Sequence, residues 1–197
     1  RFFMRAINFK NDTFLITEPF KSLFTQGMVC HETYRDENKN WFSPEEVDTK
    51  DGKKFFIKNK PEKNIIVGPS ESMSKSKKNT IDPEKMIEDF GADAVRLFIL
   101  SDSPPGKDVQ WSEQGMIASY KFIQKFWLLH MKILEKINIC PKEKKQDEDL
   151  EIEKYTNQLI DKINNNLNKF NYNVMIANMH ETYNFLIKSL NKRHSKE

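Results

Sequence analysis

The chain has 197 residues, of which 31% are charged and 38% hydrophobic, a composition typical of a globular protein with a sizeable core. Its 6 glycines and 8 prolines are too few for a fibrous or disordered chain, and its net charge of +3 excludes recognition of a nucleic acid by an overall positive field. The longest apolar run is too short to span a bilayer and no signal segment opens the sequence, so we expect no membrane association.

The first segments predict a helix, a strand and a group of hairpins. The opening "RFFMRAI" has the spacing of a helix that is already under way without a cap, so we expect the chain to be a fragment of a longer one. In "EPFKSLFTQGMVC", Pro19 and Gly27 favour a strand with a close backbone approach over a helix. From Glu32 to Gly68, short aromatic and β-branched pieces alternate with Asn, Asp and Gly turns, a pattern that predicts small hairpins.

Two short helices are predicted next. Asp82 can cap the first of them, Pro83 suits its first position, and Gly91 ends it. The second runs from Ala92 to about Ser101, where the segment "SPPGKD" breaks the helical pattern.

The rest of the sequence predicts a helical bundle. Ser112 is a good cap for a long helix, and two more helical patterns follow the charged loop "CPKEKKQDEDLE". Apolar residues recur at helical spacing in each of the three: Met116, Tyr120, Ile123, Trp127, Leu134 and Ile137; Tyr155, Leu159, Ile163 and Leu167; Val174, Ala177, Leu186 and Leu190. We therefore predict a mixed α/β part followed by an all-α part, with a boundary between Gly106 and Trp111.

The stretch "SESMSKSKKN" combines small hydroxyl side chains with long cationic ones: Ser72, Ser74 and Ser76, and Lys75, Lys77 and Lys78. Transfer of a nucleotidyl group places negative charge on the leaving pyrophosphate, and a positioned lysine stabilises that charge in the transition state. The helix start at Asp82 would add backbone N–H donors and a favourable dipole beside phosphates. A solvated turn explains the composition equally well, so the short motif alone leaves both interpretations open.

The neighbouring motifs decide between these interpretations. "SMSKS", "KKN" and "DPEKMIEDFGADAVRLFILSDSPPGKDVQWSEQG" together resemble the second signature motif of the class I aminoacyl-tRNA synthetases, and specifically of the leucyl members. "EPFKSLFTQGMV" is similar to the strand before that motif, and "FNYNVMIANMHETYNFL" resembles part of the anticodon-binding bundle. The isoleucyl and valyl members share the lysine loop, so the leucyl assignment rests on "TQGMV" and "SDSPPGKDVQWS".

The resemblance implies an α/β then all-α architecture. Residues 1–108 would form the C-terminal half of a Rossmann-like catalytic domain with a small β-hairpin insertion at about 32–68, the signature loop at 72–76 and helices over 83–101. Residues 109–197 would form a truncated, helical anticodon-binding bundle.

The resemblance also implies roles for individual residues. The signature loop would consist of Ser72, Met73, Ser74, Lys75 and Ser76, with the Lys75 ammonium contacting the phosphates of ATP. The adenine would lie near the end of the preceding strand, at Gln26, Gly27, Met28 and Val29. A glycine beside small apolar side chains can offer main-chain hydrogen bonds and an apolar face to a base, although a bulge in a buried strand would also explain Gly27.

One position departs from the family pattern. The motif usually begins with lysine, whereas this chain has Ser72 and therefore lacks one positive charge in the loop. Our hypothesis is that Lys77 and Lys78, just beyond the motif, compensate in part as phosphate contacts.

Two further side chains have a functional and a structural interpretation. Arg96 could reach a tRNA phosphate, but an ion pair with Asp93 or Asp102 is the favoured interpretation, because a charge in an apolar run is normally paired. Trp111 could stack on a nucleotide, but at a domain junction it more often anchors the packing.

The cysteines and the neighbouring histidine suggest no metal site. Cys30 and His31 resemble half of one, but no second pair of ligands lies nearby in sequence, so we predict no protein-bound metal. Cys30 and Cys140 have no CxxC companion, which favours free thiols and a cytoplasmic location.

The function implied by the resemblance is ATP-dependent attachment of leucine to tRNA(Leu) through a leucyl-adenylate intermediate. Mg²⁺ would neutralise phosphate charge, and the family suggests a monomer that binds leucine, ATP and tRNA. The family's His-containing first signature has no counterpart among the histidines, so we expect this chain by itself to be inactive. The alternatives are a non-catalytic tRNA-binding module and a class I synthetase for another amino acid.

Overall fold

The computed structural model describes residues 1–10, 18–50, 54–139 and 147–194, which form one sheet and a set of helices. The helices are α1 (Phe2–Lys10), α2 (Pro83–Phe90), α3 (Ala92–Ser101), α4 (Glu113–Ile139), α5 (Asp147–Asn168) and α6 (Tyr172–His194). The strands are β1 (Val29–Arg35), β2 (Trp41–Phe42), β3 (Val47–Lys50), β4 (Lys54–Ile57), β5 (Lys60–Ser72) and β6 (Val109–Gln110). Short 3-10 turns lie at Pro44–Glu46 and Lys75–Lys77.

The sheet is built around β1, in the strand order β2-β1-β5-β4-β3. Every pair along this path is antiparallel, and β6 adds in parallel to the start of β1, where Val29 pairs with Val109. The antiparallel strands confirm the hairpins that the sequence predicts between Glu32 and Gly68. A core of Tyr34, Val47 and Ile65 fills one face of these strands.

The strand predicted for "EPFKSLFTQGMVC" is wrong over most of its length, because regular strand structure begins only at Val29. Residues 18–28 make separate backbone contacts with the segment before β6: the Gly27 N–H donates to the Pro105 carbonyl at 2.8 Å, and Met28 accepts from the Val109 N–H at 2.9 Å. The apolar side chains that suggested a half-buried strand are mostly exposed: Phe20, Leu23, Phe24 and Met28.

The two short helices begin and end where their capping residues predict. The Asp82 side chain accepts a hydrogen bond from the Glu84 N–H at 3.0 Å, and Pro83 occupies the first helical position of α2. Gly91 has φ of 81°, a conformation that glycine adopts without a steric penalty, and it separates α2 from α3. Local signals therefore suffice to define this part of the chain.

The second hydrophobic core lies where α3, α4 and β6 meet. Ala94, Phe98, Val109 and Met116 are buried together, and the Trp111 ring packs edge-on against Phe98 with centroids 5.2 Å apart. This contact confirms the packing interpretation of Trp111. The core joins the end of the sheet to the start of the longest helix.

The three long helices confirm the predicted bundle. α3 packs against both α4 and α6, and α5 packs against α6, where the rings of Tyr155 and Phe185 stack 4.0 Å apart. The apolar stripe of α4 is covered only in its first half, since Trp127 is 64% and Ile137 65% exposed. The division into domains at residue 108 stays a prediction.

None of the helices in the described ranges has the length and apolar character of a membrane span.

A carboxylate organises the turn between β1 and β2. Asp36 accepts hydrogen bonds from the Asn40 backbone N–H at 2.9 Å and from the Asn40 side-chain amide at 3.0 Å. These hydrogen bonds, the side-chain one first, lower the pKa of Asp36 below its ordinary value. Because the charged form is the better acceptor, ionised Asp36 stabilises the turn.

We expect Asp36→Asn to destabilise the protein at pH 7 and to have progressively less effect at acid pH. The pKa is lowered in the folded state, so this contribution to stability is present above the unfolded pKa and is lost as the pH falls through the folded pKa. Urea unfolding of both proteins at pH 7 and pH 3 measures the difference. Glu37→Gln, at the exposed neighbouring residue, is the matched control. If Asp36→Asn lowered the free energy of unfolding equally at both pH values, the prediction would be contradicted.

Candidate functional site

Three segments that are distant in sequence meet at the start of β1. The Met73 N–H donates to the Val29 carbonyl at 3.1 Å, which places the signature loop directly beside the end of the predicted adenine segment. On the other edge, the Trp111 N–H donates to the Cys30 carbonyl at 2.8 Å. Thus the two parts of the predicted ATP site, the segment 26–29 and the loop 72–76, are neighbours in space.

The backbone around Gly27 lies against another chain segment, as the sequence predicts. A Cβ atom at this position would overlap the backbone carbonyl of Lys107, which cannot rotate away as a side chain does. Next to it, the Met28 N–H donates to the Asp108 carboxylate at 2.8 Å. Glycine is required here by a close approach between two segments, not by a bulge inside a buried strand.

The signature loop folds into a tight turn. Ser74 is the N-cap of the Lys75–Lys77 turn, and its hydroxyl accepts from the Lys77 N–H at 3.3 Å. The Ser76 hydroxyl lies 3.1 Å from that of Ser74, and Lys78 leaves the turn in the left-handed conformation with φ of 54°. The serines therefore shape the backbone from which the lysine side chains extend.

The three lysines of the loop differ in their partners. Lys75 is exposed, and its ammonium makes no ion pair or hydrogen bond with any residue that the structure describes. Lys77 pairs with the Glu71 carboxylate. The Lys78 charge lies near Glu46, whose pKa is lowered mainly by the Ser43 backbone N–H and to a smaller extent by Lys78. Lys75 is therefore the loop cation most available to an anionic ligand.

Ser72, where the family pattern has lysine, is the last residue of β5. It is exposed and pairs with Cys30 across the antiparallel β1–β5 ladder. The Cys30 thiol is buried, with its sulfur 4.0 Å from the Ser72 hydroxyl. Nothing in this position replaces the missing charge.

Sequence reasoning missed one residue of the loop, Asn79. It is fully buried, and its side-chain oxygen accepts from the Ser74 N–H at 2.8 Å. Its amide nitrogen donates to the carbonyls of His31 and Glu71, at 3.2 Å each. The only local signal was an asparagine at the end of the "KKN" motif, and its burial could not be read from the sequence.

The remaining candidates lie outside this site. Arg96 pairs with Asp93 at 3.1 Å on the exposed face of α3, as the structural interpretation predicts, and its contact with a tRNA phosphate stays a prediction. Burial lowers the pKa of His31, and its ring nitrogen lies 3.0 Å from the Glu32 carbonyl. Among the described residues, no three His, Cys, Asp or Glu side chains converge as ligands for a metal.

A cavity of about 580 Å³ lies beside the loop and not at it. Its walls come from the hairpin sheet, the segment Thr80–Asp82, α2 and the start of α4, and an ion pair of 3.0 Å between Glu45 and Lys85 joins two of these walls. Neither Lys75 nor any residue of the segment 26–29 lines it. The predicted phosphate-binding loop is therefore an open surface feature in this structure.

The sequence of the loop and of the elements that follow it matches the model of a known protein family. A family model described as "tRNA synthetases class I (I, L, M and V)" matches residues 58–112, which contain the signature loop, α2, α3 and β6. Over these residues the chain is similar to the class I aminoacyl-tRNA synthetases.

The curated relatives to which the chain is similar over nearly its whole length are leucine–tRNA ligases. The enzyme of Bartonella tribocorum is 42% identical over 197 residues, which cover 98% of this chain and 22% of the relative. That of Rickettsia felis is 43% identical over 196 residues, with the same two coverages of 98% and 22%. The chain therefore spans about a fifth of the length of the curated relatives that it matches.

A solved structure confirms the fold class. The LeuRS agnB2 of Agrobacterium radiobacter K84, crystallised in a ternary complex with tRNA and LeuAMS, superposes with a TM-score of 0.67 and 23% sequence identity. The match covers 98% of this chain and 20% of that chain. The shared fold supports a partial catalytic domain followed by a helical bundle.

We expect Gly27→Ala to destabilise the protein by roughly 1–3 kcal/mol, because the new methyl group would force the backbone of Lys107 to move. Gly106→Ala is the matched control, since its nearest heavy atom would be the Thr25 carbonyl oxygen at 4.0 Å. Urea unfolding of the two variants measures the difference. Equal stability of the two would show that the contact at Gly27 is not restrictive.

Proposed function

We propose that this chain is part of an enzyme that attaches leucine to tRNA(Leu) in two steps. The observation that carries the proposal is the exposed ammonium of Lys75, which pairs with none of the described residues, in a loop hydrogen-bonded to the segment 26–29. The sequence similarity to leucine–tRNA ligases supports leucine as the amino acid.

In the first step, a carboxylate oxygen of leucine attacks the α-phosphorus of ATP. The bond between the α-phosphorus and the bridging oxygen breaks, and its electron pair leaves with pyrophosphate, giving leucyl-adenylate. The Lys75 ammonium stabilises the charge that accumulates on the departing phosphates, and this charge is larger in the transition state than in bound ATP. In the second step, a terminal ribose hydroxyl of tRNA attacks the leucyl carbonyl and gives up its proton to solvent. The bond between the leucyl carbonyl carbon and the phosphate oxygen of the mixed anhydride breaks, and AMP leaves with its electron pair.

The segment 26–29 would hold the adenine by its apolar side chains and its backbone. Met28 is 56% exposed and the strand start at Val29 is partly buried, so this edge offers an accessible apolar surface. The close contact at Gly27 keeps the segment against Lys107 and limits its movement. A rigid base-binding edge next to a cationic loop fits a nucleoside triphosphate.

Mg²⁺ would neutralise phosphate charge in the first step. The carboxylate nearest the loop, Glu71, is engaged by Lys77. The described residues thus suit a metal ion carried by the phosphates of ATP more than one held by a set of protein ligands.

The helices α4 to α6 would bind tRNA. Several asparagines in "KINNNLNKFNYN" already bond within the chain: Asn165 donates to Asp161 at 3.2 Å, and Asn166 to the Lys162 carbonyl at 2.9 Å. Lysines on these helices therefore remain the stronger candidates for contacts with the phosphate backbone.

We expect Lys75→Ala in the full-length enzyme to lower kcat of leucine-dependent ATP–pyrophosphate exchange by about 10²- to 10³-fold, the usual cost of removing one group that stabilises transition-state charge. Affinity for tRNA should change by less than about twofold, because one phosphate contact contributes little to a large nucleic-acid interface. Lys54→Ala, at an exposed lysine of β4, is the matched control.

The outcome of this experiment separates the alternatives. Normal exchange with weakened tRNA binding would favour a non-catalytic tRNA-binding module. Exchange that depends on another amino acid would identify a different class I synthetase. Exchange with leucine that Lys75→Ala leaves unchanged would remove Lys75 from the mechanism.

The missing lysine at position 72 gives a second prediction. The ion pair between Lys77 and Glu71 is partly exposed and worth only about 0–1 kcal/mol, so a polyphosphate can compete for Lys77. We expect replacement of both Lys77 and Lys78 by alanine to raise KM for ATP several-fold, on the order of 1 kcal/mol in binding. Adding Ser72→Lys should restore much of the loss.

Glu71→Gln is the informative control for this test. It frees Lys77 without adding a charge to the loop, and it should lower KM for ATP if the lysine reaches the phosphates. The same KM in all of these variants would contradict the compensation hypothesis.

A further inference from the structure

We propose that Asn79 is the positioning residue that holds Lys75 in register with the nucleotide site. The inference rests on the proposed function, because it concerns how the same loop performs its step. It starts from one buried amide group whose three hydrogen bonds join the loop to both strands beneath it.

The amide of Asn79 joins three pieces of backbone. Its oxygen accepts from the N–H of Ser74, the residue directly before Lys75. Its nitrogen donates to the carbonyl of His31 on β1 and to that of Glu71 on β5. His31 and Glu71 face each other in the ladder, next to the place where its register shifts.

The position requires the chemistry of an asparagine. One acceptor and two donors are needed in a group with no solvent exposure, and only a carboxamide offers both on one short side chain. An aspartate of the same shape would keep the acceptor, lose both donors and turn a negative charge toward two carbonyl oxygens. A leucine or alanine would leave three backbone groups without their hydrogen-bond partner, and unsatisfied buried polar groups destabilise the fold.

The hydrogen bonds control both ends of the lysine turn. Ser74 enters the turn, and Lys78, in the left-handed conformation, leaves it directly before Asn79. A single side chain therefore closes the segment from Ser74 to Asn79 into a loop of fixed size. Because β1 begins at Val29, the loop is fixed relative to the proposed adenine edge as well.

This geometry makes Asn79 act through Lys75. A displacement of about 1 Å in a catalytic group commonly costs about 100-fold in rate. The exposed Lys75 ammonium has no hydrogen bond or ion pair to a described residue that would restrain it. Without the Asn79 hydrogen bonds, the turn keeps its lysine but loses its position over the sheet. The effect on catalysis should therefore vanish when Lys75 itself is absent.

The test compares Asn79→Asp and Asn79→Ser in the full-length protein, each with Lys75 present and with Lys75→Ala. With Lys75 present, we expect kcat of leucine-dependent exchange to fall at least about 10-fold with an unchanged KM for leucine. In the Lys75→Ala background, the same changes should alter kcat by less than about twofold, since residues that act as a unit are not additive. Asn40→Asp, at an asparagine whose side chain hydrogen-bonds Asp36 in the turn between β1 and β2, is the control and should leave kcat unchanged.

Several outcomes would overturn the proposal. They are an unchanged kcat in the Asn79 variants, the same loss of kcat in both Lys75 backgrounds, or a loss of kcat equal to that of Asn40→Asp. If wild-type protein lacks leucine-dependent exchange, the proposed function fails on its own, and trypsin then decides the positioning role. Cleavage after Lys75, Lys77 and Lys78 should be at least about 10-fold faster in the Asn79 variants, and equal rates would show that Asn79 does not hold the loop.

Discussion

Backbone hydrogen bonding on both edges of β1 is the constraint on which the rest of the site depends. One edge of its first residues pairs with β5 and the signature loop, and the other pairs with β6. The segment 26–29, the lysine loop and the entry to α4 are thereby held within hydrogen-bonding distance of one strand. The core of Phe98, Val109 and Met116 then packs β6 against α3 and α4. The loop and the helical bundle are therefore both attached to β1.

The surroundings of the three loop lysines depend on how β1 and β5 hold the loop. Burial of a charge without a partner is costly, and none of the three loop lysines is buried. They differ in the charged groups that lie beside them. Lys77 pairs with a carboxylate from β5, whereas Lys75 forms no ion pair with any residue in the part of the chain that the structure describes. Net charge is nearly balanced over the whole chain, so an anionic ligand would be attracted here by the local lysines of the loop and not by an overall field.

The positions of most elements could be predicted because their signals are local. The Asp82 cap, Pro83 at the first turn and Gly91 at the end define α2 within a few residues, and α4 begins beside Ser112, whose hydroxyl accepts from the Gly115 N–H at 3.1 Å. The predicted strand over 18–28 was wrong for the opposite reason. Its apolar residues have the composition of a strand, but regular pairing needs a partner along the whole segment, and here the partner contacts only its end.

Some residues of the candidate site could be predicted from the sequence, and others could not. Lys75, the serines and the segment 26–29 were recognisable because motif chemistry depends on residue type and short spacing. Asn79 was not, because its partners are backbone groups of His31 and Glu71, up to 48 residues away, and no sequence period encodes such hydrogen bonds. The stripe of α4 likewise predicted burial along its length, yet Met116 is buried whereas Trp127 and Ile137 are exposed.

The sequence by itself determined the helices with their caps, the hairpins, the class I signature and the lysine that the proposed chemistry requires. Only the tertiary structure decided which lysine has a counter-charge, that Gly27 lies against the Lys107 backbone, and that Asn79 fastens the loop to two strands. The physical reason is the range of the interactions. Caps and turns are formed by groups a few residues apart, whereas ion pairs, close backbone approaches and buried amide bonds are formed by groups that only the folded chain brings together.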